Sequence, residues 1–322
     1  MAIVPELVSP SQAARAIGVS ESSLKRWCDS GLLRVIRTAG GHRKIAVGEV
    51  IRFANSNGVG LVTPEDFSLA ITRENPTSRI EDSPSRLAEA LLTGKESAAK
   101  QILTDLFLAN HSISTLCDEV IAPAFHEIGD RWSCQSVNVY QERRGCQIVM
   151  WVLYELRHLI PPVEHQRTAL GAALTDDSYE IPSAMAELVL RSIGYDAQNL
   201  GTSIPASELA KAVRELRPQL FWLSVSHVAD EGEFVNEFAE IAVACSSVGT
   251  SLIVGGRALN ETLRRQLTYS AYCDTMKHLE TFAQDLKRWS AKPGTSGVDR
   301  RKNRAKTQKV IRPTSLKRRR TH

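Results

Sequence analysis

The chain has 322 residues, of which 43% are hydrophobic, and a formal net charge of +4. This length suits two or three cored domains, and no apolar run reaches the roughly 18–20 residues that span a bilayer. The N-terminus lacks the basic and apolar regions of a signal peptide, so we expect a cytoplasmic protein without a membrane partner. The six cysteines form no CxxC pair, which favours reduced thiols over disulfides or a zinc site.

Residues 9–52 predict a small helical module that contains a β-hairpin. A first helix over Gln12–Ile17 ends before Gly18, and Ser20 is placed to cap a second helix. Gly40-Gly41 is typical of a two-residue hairpin turn. The remaining predicted elements are two strands and a third helix, over 34–37, 44–46 and 47–54.

This module combines a basic surface with a characteristic glycine turn. Residues 1–58 hold eight Lys and Arg against four acids, and DNA phosphates require cations on short, rigid supports. The segments Leu24-Lys25-Arg26-Trp27 and Arg37-Thr38-Ala39-Gly40-Gly41-His42-Arg43-Lys44 resemble the MerR-type and excisionase-type winged helix-turn-helix families. The resemblance implies a second helix in the major groove and a wing on the backbone or minor groove. The predicted contacts to double-stranded DNA are Ser22, Lys25, Arg26, Arg37, His42, Arg43 and Lys44.

A linker and a helical bundle are predicted next. Residues 59–84 mix Pro, Ser, Thr and charge, with a short ordered piece around 67–71, and from Arg86 apolar residues recur at helical spacing. Residues 85–162 therefore predict a four-helix bundle. In it Ser114 caps the third helix, Pro123 bends or divides that helix, and Asn138 with Gln141 begins a fourth helix over 139–159.

Strands and helices alternate over residues 163–290. This order predicts a flavodoxin-like, doubly wound parallel sheet, so the whole chain is an α/β multidomain protein. Ligands of such sheets bind outside the carboxyl ends of the strands. Those ends carry Thr175–Tyr179, Ser224–His227 and Gly255-Gly256.

The last segment, 291–322, is strongly basic. It holds twelve of the 40 Lys and Arg but one of the 36 acids, and it has almost no large apolar side chains. Such a composition predicts a disordered tail. It adds salt-sensitive affinity for DNA or serves solubility, and the sequence leaves both open.

The order of winged module, bundle and sheet resembles the MerR-type transcription regulators with a cobalamin-binding sensor, which include light-responsive repressors that use adenosylcobalamin. The resemblance covers about 15–160 and 165–290. It implies that the upper side of the corrin is covered by Trp132, Val139, Glu142 and Arg143, with Arg143 where the family has His. It also implies that the nucleotide tail is surrounded by Ser224, Ser226, Gly255 and Gly256.

The sequence departs from this family at the cobalt ligand. Asp177-Ser178-Tyr179-Glu180-Ile181-Pro182 stands where the family has acid-x-His-x-x-Gly. A phenol must lose a proton before it can bind a metal, whereas imidazole is neutral near pH 7, so Tyr179 is a poor ligand and no metal ligand is predicted. Pro182 adds bulk and removes an N–H where the family has glycine.

Three interpretations of the sensor remain open. It binds cobalamin (adenosylcobalamin or methylcobalamin) without a His ligand, it binds another ligand or a partner protein, or it is a scaffold for oligomerisation. In each case we expect a transcription regulator that is not an enzyme and that binds DNA as a dimer or tetramer. A corrinoid protein of a methyltransferase system is the enzyme-associated alternative.

Overall fold

The computed structural model describes most of the chain. The predicted tail and most of the predicted linker lie outside the described residues, as does the ordered piece expected around 67–71, apart from Phe67, which is buried. The chain divides into two units between Ala283 and Gln284, and the contacts below lie within the first. In the ranges described, no helix is long and apolar enough to cross a bilayer. Those ranges are 7–57, 61–62, 67, 80–134, 136–161 and 167–290.

The N-terminal module contains three helices and a small antiparallel sheet in the order β1-β3-β2. Its first helix begins earlier than predicted because Ser9 and Gln12 form a capping box, in which the Ser9 N–H donates to Gln12 Oε1 over 2.9 Å. Strand β1 was not predicted, since two residues carry no alternating pattern. The elements are β1 (Leu7–Val8), α1 (Pro10–Ala16), α2 (Glu21–Asp29), β2 (Ile36–Arg37), β3 (Arg43–Ala46) and α3 (Val47–Ser56).

A helical bundle follows. The expected capping pair is present at the start of its last helix, where the Asn138 N–H donates to Gln141 Oε1 over 2.9 Å. The predicted third helix is divided by a π-helical turn over Cys117–Ile121, and Pro123 lies in the first turn of the next helix, where its missing N–H costs little. The helices are α4 (Ser83–Thr93), α5 (Glu96–Leu108), α6 (Ile113–Leu116), α7 (Ala122–Ser133) and α8 (Val139–Leu159).

Ser114 does not cap α6, contrary to the prediction. Ser112 does so, because its Oγ accepts from the Thr115 N–H over 3.1 Å. The hydroxyl of Ser114 is buried and donates to Glu280, far along the chain. Ser112 and Ser114 have the same capping chemistry and lie two residues apart, so the sequence alone does not show which of them is the cap.

The C-terminal part is a five-stranded parallel sheet in the order β5-β4-β6-β7-β8. This is the predicted flavodoxin-like order. One face of the sheet packs against α10 and α11 in a large apolar core, and α9 lies against the other face. The elements are β4 (Thr168–Ala173), α9 (Glu180–Ser192), β5 (Asp196–Asn199), α10 (Ala206–Leu216), β6 (Leu220–Ser224), α11 (Glu231–Val248), β7 (Ser251–Gly255), α12 (Glu261–Arg264), β8 (Ala271–Tyr272) and α13 (Met276–Ser290).

Helix α8 contacts all three parts of the fold. Besides packing in the bundle, it contacts α9 through an ion pair of 3.2 Å between Arg157 and Glu187. It also contacts the N-terminal module, because a Cβ on Gly48 of α3 would lie 2.6 Å from the Leu159 carbonyl oxygen. Only glycine permits this approach of α3 to the end of α8.

A second junction joins the bundle to the sheet. The carboxylate of Asp118, in the π-helical turn, accepts from the N–H groups of Met276 and Lys277 over 2.8 Å each. These are free donors of the first turn of α13, and an acidic group there is favourable because it faces the positive end of the helix dipole.

Candidate functional site

Helix α2 presents the predicted recognition surface. The Ser20 Oγ accepts from the Ser23 N–H over 3.2 Å and caps the helix, and the Ser22 hydroxyl lies 2.9 Å from the Ser20 Oγ. Leu24 is buried, whereas Lys25 and Arg26 are exposed. The sequence therefore folds into a capped helix whose inner side anchors it and whose outer side carries two adjacent cations.

The wing is a three-residue hairpin loop rather than the predicted two-glycine turn. The Thr38 N–H donates to the His42 carbonyl over 2.9 Å, and the Gly41 N–H donates to the Thr38 carbonyl over 2.8 Å. Of the two glycines only Gly41 has a positive φ, of 78°. This is a type I turn followed by a left-handed glycine, the usual form of a three-residue hairpin.

The predicted cations of the wing differ in their surroundings. Arg37 and His42 are exposed, while Arg43 and Lys44 are partly buried. Arg43 forms an ion pair of 2.7 Å with Asp29 at the end of α2. Arg43 therefore joins the wing to the helix.

The Arg43–Asp29 pair leads to a testable prediction. Replacing Asp29 with Asn removes an anion from the surface predicted to face DNA but keeps an oxygen that can accept from Arg43. We expect affinity for duplex DNA to rise roughly 3- to 10-fold with a steeper salt dependence, and stability to change by less than about 1 kcal/mol. Fluorescence anisotropy at several salt concentrations measures both the affinity and its slope. Asp29→Glu is the charge-preserving control, and weaker binding by Asp29→Asn would contradict this role.

Asp177 is the anchor of the carboxyl edge of the sheet. Its buried carboxylate accepts from the Ser226 N–H over 2.6 Å, from the His227 N–H over 3.3 Å and from the Tyr179 N–H over 3.1 Å. Its carbonyl oxygen accepts from the Ser203 N–H over 3.1 Å. The Asp177 carboxylate thus ties the ends of β4 and β6 together.

Tyr179 stands just before α9, and its side chain is exposed. The Ser226 backbone and the exposed His227 lie at the same edge, brought there by their bonds to Asp177. His227 brings an exposed imidazole-bearing residue to this edge, although it was not among the predicted site residues. The predicted edge residues are therefore brought together, with a phenol in place of the expected ligand.

The residues predicted to surround the nucleotide tail of cobalamin adjoin this edge. The Ser224 hydroxyl is buried and has no hydrogen-bond partner among the described residues. Cβ atoms on Gly255 and Gly256 would lie 2.4 Å from the Cys273 carbonyl oxygen and 2.1 Å from the Val225 carbonyl oxygen. The two glycines are therefore explained by close backbone packing within the protein.

The residues predicted to cover the upper side of a corrin lie around the start of α8. Trp132 at the end of α7 and Val139 are exposed, which is unusual for large apolar side chains. Glu142 forms a 3.5 Å ion pair with its neighbour Arg143 and accepts from the Cys146 thiol over 3.4 Å. Exposed Trp132 and Val139 fit a surface that a ligand or partner covers, whereas the Glu142–Arg143 pair is a local contact.

The residue that sequence reasoning missed is Trp222, which is 3% exposed on the central strand β6. Its indole lies directly against Gly171 of the neighbouring strand β4. The available signal was Gly171 itself, because a glycine inside an apolar strand often marks a close approach of another group.

The six cysteines are free thiols, and Cys134 alone among them is exposed. Burial raises the pKa of Cys146 and Cys245 to about 12 and that of Cys273 to about 11. A raised pKa lowers the thiolate fraction, and the thiolate is the reactive form. We expect one fast equivalent with a thiol reagent near pH 8, six after unfolding, and none fast in Cys134→Ser. A second fast equivalent in the folded protein would contradict the protection of the other five thiols, four of which are buried and one, Cys146, partly buried.

The N-terminal module and the helical bundle each match a known protein family. Residues 7–58 match the family described as a helix-turn-helix domain, and residues 85–157 match the family described as a B12 binding domain. The chain is 32% identical over 141 residues to the HTH-type transcriptional repressor CarH of Myxococcus xanthus, covering 44% of this chain and 46% of CarH. It is 23% identical over 281 residues to the HTH-type transcriptional repressor CarA of the same organism, covering 83% of this chain and 92% of CarA.

The fold comparison agrees. The monomethylamine corrinoid protein of Methanosarcina barkeri has a TM-score of 0.54 at 10% identity, covering 64% of this chain and 98% of that protein. This likeness confirms the predicted fold of bundle and parallel sheet. The match to CarH spans about half of that relative's length.

The chain thus resembles regulators that combine a helix-turn-helix domain with a B12-binding type of domain, as predicted. Both named relatives are transcriptional repressors rather than enzymes, which agrees with the prediction of a non-enzyme. These findings support a DNA-binding regulator.

Proposed function

We propose that the chain is a sequence-specific transcription regulator in which residues 1–58 bind duplex DNA and residues 85–290 form a sensor. The sensor comprises a bundle over 85–162 and a flavodoxin-like domain over 163–290. The observation that carries the DNA-binding role is the surface made by exposed Lys25 and Arg26 on a capped helix beside a glycine-tipped wing.

In this proposal α2 enters the major groove, where Ser22, Lys25 and Arg26 contact base edges and phosphates. Arg37 and His42 at the tip of the wing contact the flanking backbone or minor groove. Arg43 and Lys44, being partly buried, hold the wing and add positive potential.

We propose that the regulator acts as a dimer or tetramer on a repeated or palindromic site, because one module of this size reads few base pairs. A signal received by the sensor shifts the population of DNA-competent assemblies. It can do so only if it binds one arrangement more tightly than the other.

The cofactor implied by the match of residues 85–157 to the B12 binding domain family is cobalamin, and the edge of the sheet does not fit its His-ligated form. Tyr179 takes the place of the imidazole, and the Asp177 carboxylate is already occupied by three backbone N–H groups. The exposed apolar side chains of Trp132 and Val139 instead suit a sensor that is covered by another ligand or by a partner protein.

The test uses the full-length protein. Anisotropy with a random duplex library at low salt, followed by selection and sequencing of the retained DNA, measures affinity and sequence preference. Size in solution, measured with and without adenosylcobalamin or methylcobalamin, in darkness and after illumination, tests the sensor. Selection of one recurrent sequence supports the proposal. Failure to retain any duplex near 50 mM salt, where cationic readers bind strongly, would overturn it.

A further inference from the structure

Trp222 and Ser224 project from the same face of the central strand. Side chains alternate along a strand, and Phe221, Leu223 and Val225 belong to the apolar core against α10 and α11. The indole of Trp222 faces α9 instead, since its Nε1 donates to the Ser183 Oγ of that helix over 2.9 Å. A group that binds the buried Ser224 hydroxyl from this face of the sheet would therefore contact the indole of Trp222.

The indole fills the layer between the sheet and α9. A Cβ on Gly171 would lie 1.9 Å from the Cδ2 and Cε2 atoms of Trp222 and 2.3 Å from Nε1, so the ring occupies the space beside the β4 backbone. Both strands meet there in register, with Gly171 opposite Trp222.

Hydrogen bonds hold the ring in one orientation. Ser183 accepts from the indole and donates its own proton to Asn199 Oδ1 over 2.9 Å, and the same oxygen accepts from the Gly201 N–H over 3.1 Å. The indole N–H, the Ser183 hydroxyl and the Asn199 Oδ1 each have a hydrogen-bond partner. The indole is therefore a packed, hydrogen-bonded part of the core, and it does not lie in an open pocket.

We propose that Trp222 is an internal plug that occupies the space of a corrinoid's nucleotide base and excludes it. An indole is a planar, bicyclic heteroaromatic with one N–H, which matches a benzimidazole in size and shape. The sensor is consequently closed to corrinoids that carry a nucleotide tail. This deepens the proposed sensor role by defining what the sensor rejects, and it is independent of DNA binding.

The plug predicts a reversal of corrinoid preference. The wild-type protein binds cobalamin no more tightly than cobinamide, which has the same corrin but no nucleotide base. Trp222→Ala, alone and with Tyr179→His, raises the ratio of cobalamin to cobinamide affinity by about tenfold or more. Binding is read from visible absorbance after desalting, and Trp151→Ala, which removes an exposed tryptophan from α8, is the control.

A second measurement covers the case in which Trp222→Ala is unstable. An apolar cavity of defined shape binds the group it has lost, and a ligand of the folded state raises the melting temperature. Millimolar indole or benzimidazole is expected to raise the melting temperature of Trp222→Ala and to leave the wild type and Trp151→Ala unchanged. Absence of this rescue would contradict the plug.

The outcomes separate the plug from the regulator. A wild-type protein that retains cobalamin in preference to cobinamide overturns the plug, and so does a folded Trp222→Ala variant whose preference is unchanged. The duplex-binding assay is run on the same samples, so loss of DNA binding and failure of the plug are observed separately.

Discussion

Replacement of both Lys25 and Arg26 with alanine is expected to lower the affinity for the selected duplex by about 100-fold or more. Each base-edge contact contributes roughly 1–3 kcal/mol, and each phosphate contact adds to the salt dependence. Both side chains are exposed on α2, so their loss removes charge without removing core. The slope of log affinity against log salt should become shallower by about two, since two cations are lost.

The matched control is the double variant Lys211→Ala/Arg214→Ala. These two cations are exposed on α10 of the sheet, and their removal changes the net charge equally. We expect that control to bind DNA within a few-fold of the wild type. Equal losses of DNA affinity in the two double variants would show that net charge, and not α2, determines binding.

Gly171→Ala is expected to cause a large loss of stability. The added methyl would lie 1.9 Å from two atoms of a fully enclosed indole, so either the ring or the strand must move. Overpacking of this kind costs about 3 kcal/mol, and we expect the melting temperature to fall by roughly 6–12 °C.

Two comparisons make this prediction specific. Gly129→Ala lies in α7 with nothing within 4 Å of the added methyl, and it should leave stability unchanged or slightly higher. In the Trp222→Ala background Gly171→Ala should cost much less, because the clash is gone, and this double-mutant cycle isolates the pair. A full cost in both backgrounds would place the strain in the β4 backbone itself.

The secondary structure elements and the fold class could be predicted from sequence. The doubly wound parallel sheet follows from buried apolar runs such as β6 and β7 alternating with helical segments. Helix α8 was predicted with its bounds because Asn138 and Gln141 mark its start. These signals depend on residues close together in the chain. The agreement therefore reflects local rules of capping and periodicity.

Features that depend on distant partners could not be predicted. Ser114 has the chemistry of a cap, but its partner Glu280 lies 166 residues away. The Gly40-Gly41 pair suits a two-residue turn, and the choice of a three-residue loop depends on the pairing of Thr38 with His42. Trp222 looked like one more apolar strand residue, because nothing near it in sequence shows that Gly171 lies opposite.

The position of α8 has a thermodynamic consequence. The last turn of this 21-residue helix contacts both neighbours, because Leu159 lies against α3 of the N-terminal module and Arg157 pairs with Glu187 of α9. If a signal at the sheet alters DNA affinity through this turn, linkage requires DNA to alter the affinity for the signal by the same factor. The operator duplex can then be used to find the effector. Candidate small molecules or proteins are tested for binding with and without the duplex, and the effector is the one whose affinity changes.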